Sequence, residues 1–164
     1  MNITTVLASI WVYLPAYFAN AAPVVLGGGP PLDGGGKWLD GKPFLGSHKT
    51  LRGCIVGILA GIFVGAFQGN ILAGLTQGVG AILGDLVSSF LKRRWDIAPG
   101  ESSPLLDQLD FILMAIIISQ PFTRASFTEM ILIIIITIPI HYIMNYISWL
   151  VKMKEHPWEL ENHA

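Results

Sequence analysis

The chain has 164 residues, of which 52% are hydrophobic and only 13% charged, and its formal net charge is −1. Soluble domains carry about a quarter charged residues, so this composition indicates a membrane protein with several spans. The balanced charge offers no basic surface for nucleic acid, and the single cysteine, Cys54, excludes an internal disulfide.

An apolar segment at residues 3–22 is long enough to cross a bilayer. Its end, Ala-Asn-Ala-Ala, is similar to a signal-peptide cleavage site, but no Lys or Arg precedes the apolar run. Because signal peptides begin with a positive region, we interpret the segment as a first transmembrane helix, with Asn20 and Pro23 at its exit.

A Gly/Pro-rich loop follows at residues 23–52 and mixes aromatic with charged side chains. Long loops of this kind in compact proteins are usually functional. Its glycines would let backbone N–H groups approach phosphate oxygens, although the pattern is neither a Walker A motif nor a GxGxxG turn.

The second predicted span, residues 54–69, is marked by glycines at strict intervals of four. Such a stripe lets neighbouring helices approach closely, and it winds around the helix because four residues overshoot one turn. Its members are Gly53, Gly57, Gly61, Gly65 and Gly69. The third predicted span, residues 71–91, carries small residues on the face that leads to Asp85, so we expect Asp85 inside the bundle as a functional candidate.

Ser89 and Lys92 fall on the same helical face as Asp85. The triple-basic block at residues 92–94 is predicted to open a loop, residues 92–104, because the apolar run ends there and Pro99-Gly100 stops any helix. Ser103 followed by proline is a favourable start for the next helix.

Asp107 and Asp110, three residues apart, share one face of that next helix. The apolar run after Asp110 is too short to span the membrane alone, so the carboxylates are predicted at headgroup depth. Either the helix dipole stabilises them, or a hard cation such as magnesium lies between them. We favour the metal, because two carboxylates face a basic block and a third aspartate.

The remaining spans are predicted at residues 105–121 and 127–151, the last with a kink at Pro139. Thr137, His141 and Asn145 form an inward polar stripe, in which an interhelical hydrogen bond is favoured over ligation by His141. The single domain thus covers residues 1–155, and the patternless tail, residues 156–164, resembles a cloning remnant at its end.

The fold class is therefore all-α, a polytopic membrane protein with five transmembrane helices. Nine of the ten Lys and Arg residues lie in the first loop, the third-to-fourth loop and the C-terminus, and Arg124 is the exception. The positive-inside rule places these segments in the cytoplasm and the N-terminus outside. Both charged loops then meet at one cytoplasmic membrane face, in the cell membrane.

Two motifs carry a family resemblance, namely G-D-L-x-x-S-F-x-K-R-R at residues 84–94 and D-Q-x-D-F at residues 107–111. They resemble the CTP:phosphatidate cytidylyltransferase superfamily, and within it the small archaeal branch, the CDP-archaeol synthases. Residues 19–23, 39–41 and 45–53 are similar to other motifs of that branch, so the resemblance covers nearly the whole chain.

The resemblance implies a magnesium-dependent transfer of CMP from CTP to 2,3-bis-O-geranylgeranylglyceryl phosphate, an isoprenoid ether-lipid phosphate, giving unsaturated CDP-archaeol and pyrophosphate. Such a reaction brings two anions together, so it depends on positioning and charge neutralisation and needs no covalent nucleophile.

The residues that this reading assigns fall into three overlapping groups. The expected catalytic residues are Asp85, Lys92, Asp107 and Asp110. The expected magnesium ligands are Asp107, Asp110 and Asp85. The expected CTP or phosphate contacts are Asn20, Asp40, Lys49, Arg52, Ser89, Lys92 and Arg93.

Two other classes of protein remain open on the residues alone. A small transporter or channel subunit would also have glycine-packed helices and a buried Asp85, but it predicts a polar path across the membrane, whereas the charges gather at one face. A structural scaffold would leave the Asp107/Asp110 pair unexplained. A homodimer is also among the partners that we consider.

Overall fold

The computed structural model describes residues 2–98, 101 and 103–150. These residues form five helices, which confirms the predicted all-α class. In chain order they are α1 (Ile3–Leu26), α2 (Leu51–Phe67), α3 (Ile71–Arg94), α4 (Pro104–Thr123) and α5 (Phe127–Leu150). The predicted tail, residues 156–164, and the end of the fifth predicted span lie outside the described residues.

Four of these helices are long and apolar enough to cross a membrane, namely α1, α3, α4 and α5. The protein is therefore a multi-span membrane protein. Helix α2 is equally apolar but has only 17 residues, so its predicted crossing, like the predicted orientation, stays a prediction.

The first predicted span ends too early, because α1 continues through Pro23 to Leu26. Proline cannot donate to the carbonyl four residues before it, which is that of Ala19. Gly57 of α2 packs directly against this freed carbonyl, and a Cβ built on Gly57 would lie 2.7 Å from the Ala19 oxygen. Inside a helical bundle a proline is thus tolerated, and the loop is shorter than the predicted residues 23–52.

The predicted end of the third span is also wrong, since the basic block belongs to the helix. Lys92, Arg93 and Arg94 form the last turn of α3, and the Trp95 N–H donates to the Leu91 and Lys92 carbonyls. Three cations are stable there because the carbonyl end of a helix is its negative pole. The helix therefore carries its charged groups on a rigid backbone instead of a loop.

A second proline, Pro15, interrupts α1 near its middle, and two glutamine side chains compensate for it. The Gln68 amide donates to the Trp11 carbonyl, which Pro15 leaves without its helical donor. The buried Gln77 amide accepts from the Ala16 N–H at 3.2 Å and donates to the Val12 carbonyl at 2.8 Å. Polar groups freed inside the bundle are thus satisfied by its neighbours.

The predicted glycine stripe of α2 is confirmed for four of its five members. Gly61 and Gly65 contact the backbone of α3 at Gly74 and Gly78, whereas Gly57 contacts both α1 and α3. The stripe therefore serves more than one neighbour. Gly69 is not part of it, because it follows the helix end with a φ of +77° and has open space around it.

Helices α3 and α4 pack closely through Gly80 and Gly84. A Cβ built on Gly80 would lie 2.6 Å from the Ala115 Cα, and one built on Gly84 would overlap the Asp110 carbonyl. Only glycine permits this approach. The contact brings the acidic start of α4 against the charged end of α3.

Candidate active site

A cavity of about 1100 Å³ lies where the end of α3 meets the start of α4 and the loop between α1 and α2. Its two sides differ in chemistry. Charged side chains of the loop, α3 and α4 line one side, whereas apolar side chains of α1 and α5 line much of the other, among them Ile10, Leu14, Phe18, Val24, Ile140, Met144 and Ile147.

Asp85 lies in the wall of this cavity, with a third of its side chain exposed. The expectation of an aspartate packed inside the bundle is therefore wrong, because the face of α3 that carries Asp85 opens onto the cavity. The Lys49 ammonium group lies 2.6 Å from Asp85 Oδ1. The sequence assigned both residues to the site, and the structure joins them as an ion pair.

Asp107 also lines the cavity and has three polar neighbours. Lys92 Nζ lies 2.7 Å from its Oδ1, the Ser103 N–H donates to its Oδ2 at 2.8 Å, and the Ser88 hydroxyl is 3.4 Å from its Oδ1. The Ser103 hydroxyl makes no capping bond, although Ser103 is the N-cap of α4 as predicted. Asp107 Oδ2 instead accepts the hydrogen bond from the Ser103 N–H, so Asp107 stabilises the start of α4 as well as facing the cavity.

Asp110 lies one helical turn deeper and lines the same cavity. Its Oδ1 accepts from the Phe111 N–H at 2.6 Å, and Asp85 and Asp107 are near enough to repel its negative charge. Within the described part of the chain, no Lys or Arg forms an ion pair with it. Asp110 is thus the carboxylate of the three that most needs a cation.

Arg93 is the most deeply buried cation of the site, with only 4% of the residue exposed. It lines the cavity, yet its Nε and Nη1 have no hydrogen-bond partner among the described residues. A buried guanidinium without partners is expensive, since each unsatisfied donor loses its bonds to water. An anion bound in the cavity would supply the missing acceptors.

Asn20 and Ser89 line the cavity as expected, whereas Asp40 and Arg52 do not. Asp40 instead lies 3.0 Å from Arg94 Nε, and Arg52 is exposed at the start of α2. Their predicted contacts with CTP stay predictions. The other eight predicted residues all line the cavity: Asn20, Lys49, Asp85, Ser89, Lys92, Arg93, Asp107 and Asp110. Glu101, which was not predicted, lines it as well.

The loop over the cavity is held in shape by Asp33. Its Oδ2 accepts from the Leu45 N–H at 2.8 Å, and its Oδ1 accepts from the Gly35 N–H at 2.9 Å. Desolvation on its own raises the pKa of Asp33, but these backbone hydrogen bonds outweigh it and lower the pKa below the ordinary value. Gly46, which follows Leu45, lies in the cavity wall with a φ of +106°.

The predicted polar stripe of α5 faces inward. Thr137 is fully buried, and its hydroxyl lies 2.6 Å from that of Tyr17 on α1. His141 and Asn145 line the cavity, with His141 Nδ1 3.3 Å from Asn145 Nδ2 on the same helix. The interhelical hydrogen bond is therefore shown for Thr137, while the preferred role of His141 stays a prediction.

Sequence reasoning missed Ser88, which is buried between the acidic residues and the basic end of α3. It stands in the same G-D-L-x-x-S-F motif as Ser89, but one position away from the face that carries Asp85 and Lys92. The close contact of α3 with α4 at Gly84 makes that neighbouring face part of the site.

Together, the fold and the site define a class of protein, namely a helical membrane protein with a cavity that is charged on one side and apolar on the other. Comparison with known proteins identifies the family. A family model described as CarS-like, CDP-archaeol synthase, matches residues 2–158. The chain belongs to the CDP-archaeol synthase family and is a cytidylyltransferase, which confirms the resemblance seen in its motifs.

Relatives agree over most of their length. The CDP-archaeol synthase of Thermococcus gammatolerans is 39% identical, over 92% of this chain and 95% of its own. That of Methanopyrus kandleri is 40% identical, over 91% of each. A solved structure described as "Structural insight into an intramembrane enzyme for archaeal membrane lipids biosynthesis" superposes with a TM-score of 0.74 at 35% identity, covering 85% of this chain and 94% of that one.

Proposed function

We propose that the cavity transfers CMP from CTP to 2,3-bis-O-geranylgeranylglyceryl phosphate. An oxygen of the lipid phosphate attacks the α-phosphorus of CTP and forms the new P–O bond. The bond from that phosphorus to the oxygen bridging to the β-phosphate breaks, and pyrophosphate leaves with the electron pair. The products are unsaturated CDP-archaeol and pyrophosphate.

The buried, unpaired guanidinium of Arg93 is the observation that carries this proposal. Its Nε and Nη1 lack partners among the described residues and it lines a cavity next to Lys92. Guanidinium groups bind phosphate through paired, charge-assisted hydrogen bonds. A nucleoside triphosphate brings enough negative charge to occupy Arg93, Lys92 and Lys49 together.

The two-sided lining supports a substrate that is both anionic and apolar. The lipid phosphate would lie among the charged side chains, while its chains would lie along the apolar side chains of α1 and α5. A soluble nucleotide and a membrane lipid are thereby brought to the same point.

Asp107, Asp110 and Asp85 are the proposed magnesium ligands, and the structure allows a test of their fit. No group of three His, Cys, Asp or Glu side chains converges on one point among residues 2–98, 101 and 103–150. Magnesium does not require such a group, since it is commonly bound by one or two carboxylates together with substrate phosphates. Asp110, whose carboxylate has no cation partner in that range, fits this mode.

When bound there, magnesium would neutralise part of the negative charge on the transferring phosphoryl group. The protein's own residues would do the remaining work. Lys92 and Arg93 would orient the phosphates, and Lys49 would neutralise charge on the loop side of the cavity. Ser88 would hold Asp107 in place. Positioning and charge are sufficient for this reaction, because phosphoryl transfer needs no covalent intermediate on the protein.

We further propose that the protein lies in the plasma membrane with five crossings and the cavity at the cytoplasmic face. The end of α3 and the loop before α2 carry most of the basic residues, in agreement with the positive-inside rule. CTP would then enter from the cytoplasm, while the lipid would enter from the membrane.

The proposal is tested by supplying the purified protein in detergent with magnesium, the lipid phosphate and CTP labelled at either the α- or the γ-phosphate. We expect the α-label in the lipid phase and the γ-label in pyrophosphate. Lipid phosphates with straight acyl chains serve as the comparison for substrate class. Transfer of the γ-label to lipid, or no transfer of either label, would refute the proposed reaction.

A further inference from the structure

Two ion pairs fasten the loop between α1 and α2 to the end of α3. Asp40 Oδ2 lies 3.0 Å from Arg94 Nε, and Lys42 Nζ lies 2.7 Å from Asp96 Oδ1. The charges alternate, since each segment supplies one acid and one base. We call these four residues, Asp40, Lys42, Arg94 and Asp96, the clasp.

Each cation of the clasp also bonds a backbone carbonyl of the opposite segment. Arg94 Nη2 donates to the Pro43 carbonyl at 2.5 Å, and Lys42 Nζ donates to the Arg94 carbonyl at 3.1 Å. Asp96 has a φ of 62°, a conformation that few residues other than glycine adopt. The clasp therefore fixes main chain as well as side chains, unlike an isolated surface ion pair.

Aromatic rings also pack between the loop and α3, next to the clasp. Trp38 and Phe44 of the loop pack on Phe90 of α3, with ring centroids 5.2 to 5.4 Å apart among the three. The Arg94 guanidinium lies over the Phe90 ring at 4.6 Å from its centroid. Stacking holds the guanidinium plane in an orientation in which Nη2 donates to the Pro43 carbonyl and Nε lies beside Asp40.

On both segments that it joins, the clasp is close in the chain to charged residues of the cavity wall. On the helix, Arg94 directly follows Lys92 and Arg93, which line the cavity. On the loop, Pro43 is followed by the segment 44–49, in which Leu45 is buried and Lys49 pairs with Asp85. The clasp thus joins the loop segment that leads to Lys49 to the helix turn that carries Lys92 and Arg93.

We propose that Asp40 and Arg94 are positioning residues, which hold Lys49 at the correct distance from Lys92 and Arg93 for one triphosphate to reach all three. This inference rests on the proposed function and assigns Asp40 a role through Arg94 instead of a contact with CTP. The separation of the three cations matters for binding the phosphates. Loss of the clasp would therefore weaken CTP binding more than it would slow the reaction of bound CTP.

Two single variants and their combination test the clasp. Asp40→Asn keeps an acceptor for the Lys42 N–H, which donates to Asp40 Oδ1 at 3.0 Å, and removes only the charge. Arg94→Gln removes the opposite charge. We expect each to raise the KM for CTP about tenfold with kcat within about threefold of the wild type. Both variants remove the Asp40–Arg94 ion pair, and Arg94→Gln also removes the hydrogen bond to the Pro43 carbonyl, so the double variant should resemble Arg94→Gln.

Lys37→Gln is the matched control, because Lys37 is an exposed cation of the same loop outside the clasp. We expect its KM to stay at the wild-type value. A direct contact between Asp40 and the substrate would give a different pattern. Asp40→Asn would then lower kcat far more than Arg94→Gln does, and the effects of the two would multiply. That pattern would overturn the proposal.

Amide hydrogen exchange on the same detergent-solubilised proteins supplies a readout that does not need activity. Exchange at residues 44–49 should become faster in both clasp variants, while exchange within α1 and α3 stays unchanged. Unchanged exchange at residues 44–49 would also overturn the proposal. If the wild-type protein makes no CDP-lipid, the proposed reaction fails, and the exchange data then decide separately whether the clasp orders the loop.

Discussion

Lys92 Nζ lies 2.7 Å from Oδ1 and 3.0 Å from Oδ2 of Asp107, so two proposed site residues neutralise each other across the α3–α4 contact. Both side chains are largely buried, with 12% and 23% exposed. The pair explains how an acidic helix start is stable at this depth. In the proposed reaction the pair would exchange partners when substrates bind, with Lys92 turning to phosphate and Asp107 to a cation.

We expect Lys92→Ala to reduce kcat/KM for CTP by about 10² to 10³, because it removes a charge that stabilises the transferring phosphate. It also leaves Asp107 without its cation, so we expect a loss of stability of about 1 to 3 kcal/mol. Steady-state kinetics and thermal unfolding on one preparation separate the two effects. Lys37→Ala is the control. If Lys92 served only to anchor the helix at the lipid surface, kcat/KM would match the wild type.

Asp107→Asn and Asp110→Asn preserve shape and remove one charge each. We expect folded proteins with little turnover, and a higher magnesium concentration for half-maximal rate in whichever variant retains measurable activity. Magnesium titration of the rate is the measurement. If Asp107 only stabilised the start of α4, Asp107→Asn would lose about 1 kcal/mol of stability, and the magnesium dependence of its rate would be unchanged. An active Asp110→Asn protein with that unchanged dependence would remove Asp110 from the metal site.

Gly84 permits the contact that brings α4 to the site, so Gly84→Ala tests the geometry without touching a charge. The added methyl group would overlap the backbone carbonyl of Asp110. We expect a loss of about 1 to 3 kcal/mol in the free energy of unfolding, together with lower activity.

Gly53→Ala is the comparison for Gly84→Ala, since its Cβ would meet only side-chain atoms, Thr50 Oγ1 at 3.1 Å and Pro23 Cβ at 3.5 Å. Thermal unfolding measures both. Equal stability of the two variants would argue against a tight α3–α4 contact.

Much of this arrangement was predictable from local patterns. The five helices follow from apolar runs and punctuation, and the cavity contains Asp85, Lys92, Asp107 and Asp110 because helical spacing puts such residues on a shared face. The C-terminal ends of α1 and α3 were not predictable. Pro23 normally ends a helix, but in this bundle a glycine of another helix packs against the carbonyl it frees.

Contacts between segments far apart in the chain were also beyond sequence reasoning. Nothing local to Asp40 shows that Arg94, 54 positions later, lies beside it, so the sequence does not predict this ion pair. Ser88 was missed for a similar reason, since its partner Asp107 lies on another helix. Such pairings depend on how glycines set the approach of two helices.

The proposed orientation predicts which ends of the helices meet the cytoplasm. In a protein without Cys54, a cysteine at Asn70 should react with an impermeant thiol reagent added outside the cell, whereas one at Glu101 should react only after the membrane is opened. Asn70 caps α3, so its replacement costs about 1 kcal/mol, and expression level is checked alongside. The reverse labelling pattern would place the cavity on the outer face and separate it from cytoplasmic CTP.

The affinity of Arg93→Gln for CTP tests the central claim most directly, with Arg124→Gln as its matched control. Both variants remove one arginine, but Arg93 is buried in the cavity wall, whereas Arg124 is exposed at the end of α4 and outside the cavity. Calorimetric titration with CTP and magnesium should show affinity about 10- to 100-fold weaker for Arg93→Gln and near wild-type affinity for Arg124→Gln. Wild-type affinity in Arg93→Gln would contradict the account.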